Sequence, residues 1–265
     1  MRRLGGIALA SALSASTCLL TAAAQTISPH SGAPAPAIGP PPAIAEQASL
    51  QLRQMAAYVG SAEQFTFHAD ITFDHVLPSG QKLQFSASED VALQRPGRLY
   101  VAWSGDLGDR RFWYDGKSVT LYDPATPFYA SEPAPGEIDA MLDKLLPQLN
   151  FSPPLADLMY SDPYGRVHSN IQYGFDLGTN EVNGRSCRTF AFVEKDVDWQ
   201  IWIDPGPQLV PCKLVITYRS LPSQPQFSAV FSHWDFSPRI AAPVFTATLP
   251  AGVQKIQFRS VAAAK

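Results

Sequence analysis

The stretch DVDWQIWID, Asp196–Asp204, sets the reading of the whole chain. Strand side chains alternate between two faces, so Val197, Trp199, Ile201 and Ile203 share one side. Trp202 falls on the other, among Asp198, Gln200 and Asp204. A strand with a large aromatic on each face needs cover on both. The same holds for Phe112, Trp113 and Tyr114, three consecutive rings that one face cannot hide. In FAFVE, Phe190 and Phe192 stand opposite Cys187, Ala191 and Val193. Helices can cover one side of such strands; the other side faces a closed barrel interior or a ligand cavity.

Working outward, 44–59 reads as a helix, with Leu50, Met55, Tyr58 and Val59 at helical spacing and Gly60 ending it. FTFHADITF then alternates, placing Phe65, Phe67, Ala69, Ile71 and Phe73 on one face. After the turn Pro78-Ser79-Gly80, KLQFSASEDVAL answers with Leu83, Phe85, Ala87, Val91 and Leu93, interrupted by Glu89. Further strands are predicted at 98–104, 110–115 and 118–123, with an Asp115-Gly116 turn between the last two. In EIDAMLDKLLPQL, residues Ile138, Met141, Leu142, Leu145, Leu146 and Leu149 form one apolar stripe, and Pro147 ends or kinks the helix. PLADLMYSD is a second, short helix. Strands resume at 171–177, 186–194, 197–204, 211–219 and 226–236, with a last one around 244–249. Helices segregated from hairpin-linked strands predict an α+β fold built on a curved antiparallel sheet.

The first 24 residues read as a signal peptide cleaved after Ala24: Arg2 and Arg3, an apolar run from Leu4 to Leu20, then three alanines. A membrane anchor or lipid-modified Cys18 is the alternative. Residues 25–43 hold six prolines and no charge, the composition of a flexible or polyproline-like tether. One domain is expected over 44–258, and a flexible tail over 259–265. With Lys+Arg 20 against Asp+Glu 23 and no basic run, nucleic acid and anionic lipid surfaces are not indicated as partners. Cys187 and Cys212 are either bridged or two buried free thiols. On strands separated by a third they lie roughly 9.5 Å apart, beyond the ~7 Å that a bridge tolerates. A bulge near a strand end could close that gap.

No metal or cofactor is expected. The five histidines make no HxH, HxxxH or HExxH pattern. His68, Asp70 and Asp74 share the polar face of their strand, which reads as solvated. No nucleophile elbow or phosphate loop is present. Glu89 sits on an apolar face, where an unpaired carboxylate is costly. Pairing with an arginine such as Arg111, or a bulge that turns it outward, would answer that cost. Asp106, Asp109, Arg110 and Arg111 read as a charged loop or as the polar mouth of a cavity.

From Ala92, ALQRPGRLYVAWSGDLGDRRFWYDGKSVTLYDP carries Arg95-Pro96, then Asp115-Gly116-Lys117, then Tyr122-Asp123-Pro124. Their order resembles the periplasmic lipoprotein carriers of the LolA/LolB type. FDHVLPSGQKLQF, PLADLMYSDPY, VDWQIWID and KLVITYR resemble a family of uncharacterised predicted periplasmic proteins grouped with those carriers. The resemblance covers most of residues 45–258. It implies a half-open antiparallel barrel, with helices over the open side and a cavity between sheet and helices that receives acyl chains. It also implies that Arg95 holds the helical lid through backbone carbonyls. The cavity candidates are Trp103, Phe112, Trp113, Tyr114, Trp199, Trp202, Phe231 and Trp234 from the sheet. Leu142, Leu145, Leu146, Leu158 and Met159 are those from the helices. The expected function is a non-enzymatic periplasmic binding protein for a lipid, acyl chain or lipoprotein. An envelope sensor or scaffold that recognises a protein partner is the alternative, and a hydrolase with an unrecognised site a third.

Overall fold

The computed structural model describes residues 44–148 and 154–258. The expectations for residues 1–24, 25–43, 259–265 and Leu149 lie outside them. The described chain begins with α1 (Glu46–Ser61), followed by β1 (Gln64–Val76), β2 (Lys82–Gln94), β3 (Arg98–Gly105), β4 (Arg110–Tyr114), β5 (Ser118–Tyr122) and β6 (Phe128–Pro133). Next come α2 (Ile138–Leu145), a 3-10 turn at Ala156–Met159 and α3 (Pro163–His168). The second run of strands is β7 (Tyr173–Val182), β8 (Arg185–Val193), β9 (Val197–Ile203), β10 (Pro211–Tyr218) and β11 (Gln226–Asp235). A 3-10 turn at Ala242–Phe245 and the short β12 (Gln254–Ile256) finish the described chain.

All twelve strands form one open sheet, ordered β12-β6-β5-β4-β3-β2-β1-β11-β10-β9-β8-β7. The two runs of strands meet where β1 pairs with β11, and only the β12–β6 pair is parallel. The predicted curved antiparallel sheet with helices on one face is the architecture found. Because cross-strand partners share a face, the register aligns side chains in rows. One inner-face row runs Phe192–Trp199–Ile216–Phe227–Phe73–Phe85 across six strands. Its neighbour runs Phe190–Ile201–Leu214–Ala229–Ile71–Ala87–Gly105. The small residues at the β2–β3 end of that row bring the strands close: a Cβ on Gly105 would lie 2.6 Å from the Cβ of Ala87.

Several local expectations are corrected. Gly60 does not end α1, which continues to Ser61; a Cβ there would meet the Ser161 carbonyl oxygen at 2.4 Å, so the glycine permits close approach of two segments. PLADLMYSD forms only a 3-10 turn, and the α-helix follows it at Pro163, with Asp162 capping the Gly165 amide. β6 was not anticipated. The strand expected around 244–249 is absent: the segment crosses the outer face instead, with the Ala242–Phe245 turn against β3 and Phe245 fully buried.

Cys187 and Cys212 are bridged. They lie on β8 and β10, with β9 between, yet their Cα atoms are only 6.9 Å apart. The gap closes because β9 ends at Ile203, where the β9–β10 register slips between Pro211 and Lys213. Val182, Trp202 and Val230 pack around the bridge. That is the outer-face cover for Trp202, completed by the Lys213 ammonium 5.0 Å from its ring centre.

Candidate functional site

The inner face is closed at one end by helices. Leu52, Met55, Ala56 and Val59 of α1 and Ile138, Met141, Leu142 and Leu145 of α2 are buried with Phe65, Phe67, Leu93, Leu99 and Tyr114 of the sheet. This part is filled by the chain's own side chains. Toward the β1–β2 hairpin, the helices leave the inner face partly uncovered. There Phe73, Phe85, Trp103, Phe112, Leu214 and Ile216 are half-buried. Phe73 lies 6.0 Å from Phe85 and 5.9 Å from Trp103 between ring centres, so the three rings make a continuous floor.

The residues proposed to line a cavity fall into three groups. Trp103 and Phe112 belong to the half-covered part of the inner face, and Leu146, just after α2, is half-buried against the core. Tyr114, Leu142, Leu145, Leu158, Met159, Trp199, Phe231 and Trp234 pack in the core beneath the helices. Within it, Trp234 stands 4.5 Å from Phe67, and Trp199 stacks on Phe192 at 4.3 Å. The Trp199 indole N–H donates to Glu194 at 2.8 Å. Trp113 and Trp202 are on the outer face, apart from the others; Trp113 lies beside Tyr100 at 5.8 Å.

Three recesses also open on the surface. Two lie on the outer face against the C-terminal segment, of about 440 Å³ beside Phe245 and about 420 Å³ beside Val244 and Tyr100. The third, of about 610 Å³, lies between the start of α1 and His168. None of the three opens between sheet and helices. The 420 Å³ recess holds His68, which bonds Asp90 at 2.7 Å; that bond, outweighing burial, raises its pKa. No group of three His, Cys, Asp or Glu among the described residues could hold a metal ion.

Arg95 follows β2 directly and ties the helical cover together. Its Nε donates to Ala62 O at 3.1 Å, just past α1. Nη1 and Nη2 donate to Met159 O and Tyr160 O at 3.1 and 2.9 Å. Asp139 on α2 lies 3.9 Å away and accepts the Ser161 amide at 3.0 Å. One guanidinium therefore reaches three segments, which its five fixed donors suit.

Glu89 was the residue whose surroundings sequence reasoning left open, and among the described residues no arginine answers it. Arg111 donates to Trp103 O and faces outward. Glu89 points inward, 8% exposed, between Ala69 and Trp103 in the cross-strand register, and its Oε1 has no hydrogen-bond partner. Burial, and then neighbouring Asp90, raises its pKa from 4.5 to about 7. The native state thus keeps a proton that the unfolded chain releases. That contribution to stability is full below the unfolded value and is lost as pH rises through 7. A raised pKa of this size corresponds to about 3–4 kcal/mol in all, of which about 2–3 kcal/mol falls between pH 5 and pH 8. Urea unfolding at pH 5 and pH 8 should show that loss in the native protein and its removal in Glu89→Gln. The same pH slope in both would mean that Glu89 titrates normally.

Residues 48–259 match the family described as predicted periplasmic protein (DUF2092). The chain belongs to this family. No curated protein matches it. Among solved structures, this DUF2092 member is similar to lipoprotein LppX of Mycobacterium tuberculosis, at 13% identity over 74% of this chain and 98% of that one, with a TM-score of 0.44. It is similar to LprF of Mycobacterium bovis at 14% identity over 80% and 100%, with a TM-score of 0.45. A LolA superfamily protein from Nitrosomonas europaea shares 9% identity over 76% and 98%, with a TM-score of 0.40. Among the described residues of the DUF2092 chain, no helix is long and apolar enough to cross a membrane.

Proposed function

We propose that this DUF2092 protein is a periplasmic binding protein, without covalent chemistry, that shelters a lipid or acyl chain against the inner face of its sheet. The observation that carries this reading is the half-covered floor of Phe73, Phe85 and Trp103, continued by Leu214 and Ile216. Of the Phe192-to-Phe85 row, Ile216, Phe73 and Phe85 are half-buried, whereas Phe192, Trp199 and Phe227 are buried in the core. An apolar surface of that kind, bordered by a filled core, suits an apolar guest. Arg95, by holding the helical cover, sets how far the guest can enter.

The apolar fluorophore N-phenyl-1-naphthylamine should bind the purified protein and be displaced by dodecanol. Phe85→Ser, at the exposed end of the floor, should weaken binding about tenfold, the effect of losing part of one aromatic contact. Native mass spectrometry that finds no co-purifying lipid, together with no fluorophore uptake, would overturn the reading. Recovery of one stoichiometric protein partner instead would favour a sensor or scaffold.

A further inference from the structure

Glu89 stands at the edge of the same floor and has no structural employment there. Across β2–β3 it faces Trp103, and across β1–β2 it faces Ala69, whose methyl group offers no hydrogen bond. Ala87, two residues before it on the same face, is equally small. The charged groups around it are otherwise engaged. Asp90 points to the outer face, where it bonds His68. Arg110, beyond Trp103 on β4, pairs with Asp123 at 3.0 Å. Arg95 is committed to three carbonyls. Among the described residues, no cation pairs with Glu89, and its Oε1 accepts nothing.

We propose that Glu89 is a ligand-binding residue: the inner face takes an amphiphile with a primary ammonium group on its alkyl chain, and Glu89 is the anion that pairs with it. The proposal rests on the apolar-ligand reading above and adds the ligand's polar end. A buried carboxylate without a cation is the group most improved by one, because Coulomb attraction is strong where water is excluded. The Trp103 indole beside it adds a ring face that attracts ammonium groups. Phe73 and Phe85 continue from Trp103 away from the carboxylate and would receive the alkyl chain. A neutral head would leave the carboxylate unmatched, and a carboxylate head would be repelled.

The experiment compares dodecylamine, dodecanol and dodecanoate as competitors of N-phenyl-1-naphthylamine on the full chain, below their aggregation concentrations. At pH 8 dodecylamine should bind about tenfold more tightly than dodecanol, and dodecanoate more weakly than either. In Glu89→Gln the amine-to-alcohol ratio should fall to about one. Dodecylamine keeps its charge between pH 5.5 and 8, whereas Glu89 gains its proton as pH falls through about 7. The amine preference should therefore fade several-fold toward pH 5.5 in the native protein and stay flat in the variant. Dodecanol binding with no amine preference at pH 8, or a preference that survives Glu89→Gln, overturns this proposal and leaves the apolar site standing. Failure of all three competitors and of the fluorophore overturns both.

Discussion

Replacing Arg95 with Leu is expected to cost about 4 kcal/mol of folding stability, a large share of the ~5–15 kcal/mol that holds a domain together. Leucine keeps part of the aliphatic stem but removes every donor. The carbonyls of Ala62, Met159 and Tyr160 then lose their partners in a place where the arginine side chain is only 16% exposed. Each such loss costs about 1–3 kcal/mol, and bonds to a charged donor lie toward the upper part. The damage should be local before it is global. Amide exchange should accelerate first at Leu158–Ser161 and in the last turn of α1, while the β1–β2 hairpin stays protected. Arg95→Lys should recover only part of the loss, since an ammonium cannot span the three carbonyls as a planar fork does. Urea unfolding measures the cost. An unchanged midpoint, or unchanged retention of the fluorophore, would remove Arg95 from its place as the tie between sheet and helices.

Removing the disulfide should have the next largest effect. The bridge spans a sequence separation of 25 residues, and the loop-closure entropy it withholds from the unfolded chain is worth about 3.5 kcal/mol. For a domain of this size that is roughly 10 °C in Tm. Both sulfurs are buried, so the double variant Cys187→Ala/Cys212→Ala is a cleaner comparison than adding reductant to the native protein. Two free thiols by mass in the non-reduced native protein would refute the bridge. A Tm equal to that of the double variant would refute its contribution.

These two residues differ in how far they could be read in advance. Arg95 stands in an Arg-Pro motif whose resemblance to the carriers implies a reach to backbone carbonyls; the motif by itself names neither that role nor the particular carbonyls. The bridge was not foreseeable from strand spacing alone. It depends on β9 stopping one residue short of the cysteines' level and on a register slip in β10. Neither leaves a mark in local composition. β6 was missed for a related reason: FYASEP is short, bounded by prolines, and on the inner face carries Ala130, Glu132 and an exposed Phe128, a weak apolar signal. The segment at 244–249 misled in the opposite direction. FTATLP alternates like a strand, but it lies across the outer face, where no sheet edge is free to pair with it.

The candidate site divides in the same way. The aromatics of the two-sided strands were visible, and the structure sorts them by register. Trp103 and Phe112 go to the half-covered inner face, Trp199 and Trp234 to the core, and Trp113 and Trp202 to the outer face. Glu89 was visible as a polar interruption in an apolar row; that it has no partner was not.

Alternation, turn residues and helical stripes are short-range signals. They sufficed for the strand-rich α+β class, for most hairpins, and for which side chains share a face. The pairing of β1 with β11, the parallel β12, the covered outer face and the solitary carboxyl all arise between residues far apart in the chain. Their energies depend on which surfaces meet after folding, and no local pattern encodes that meeting.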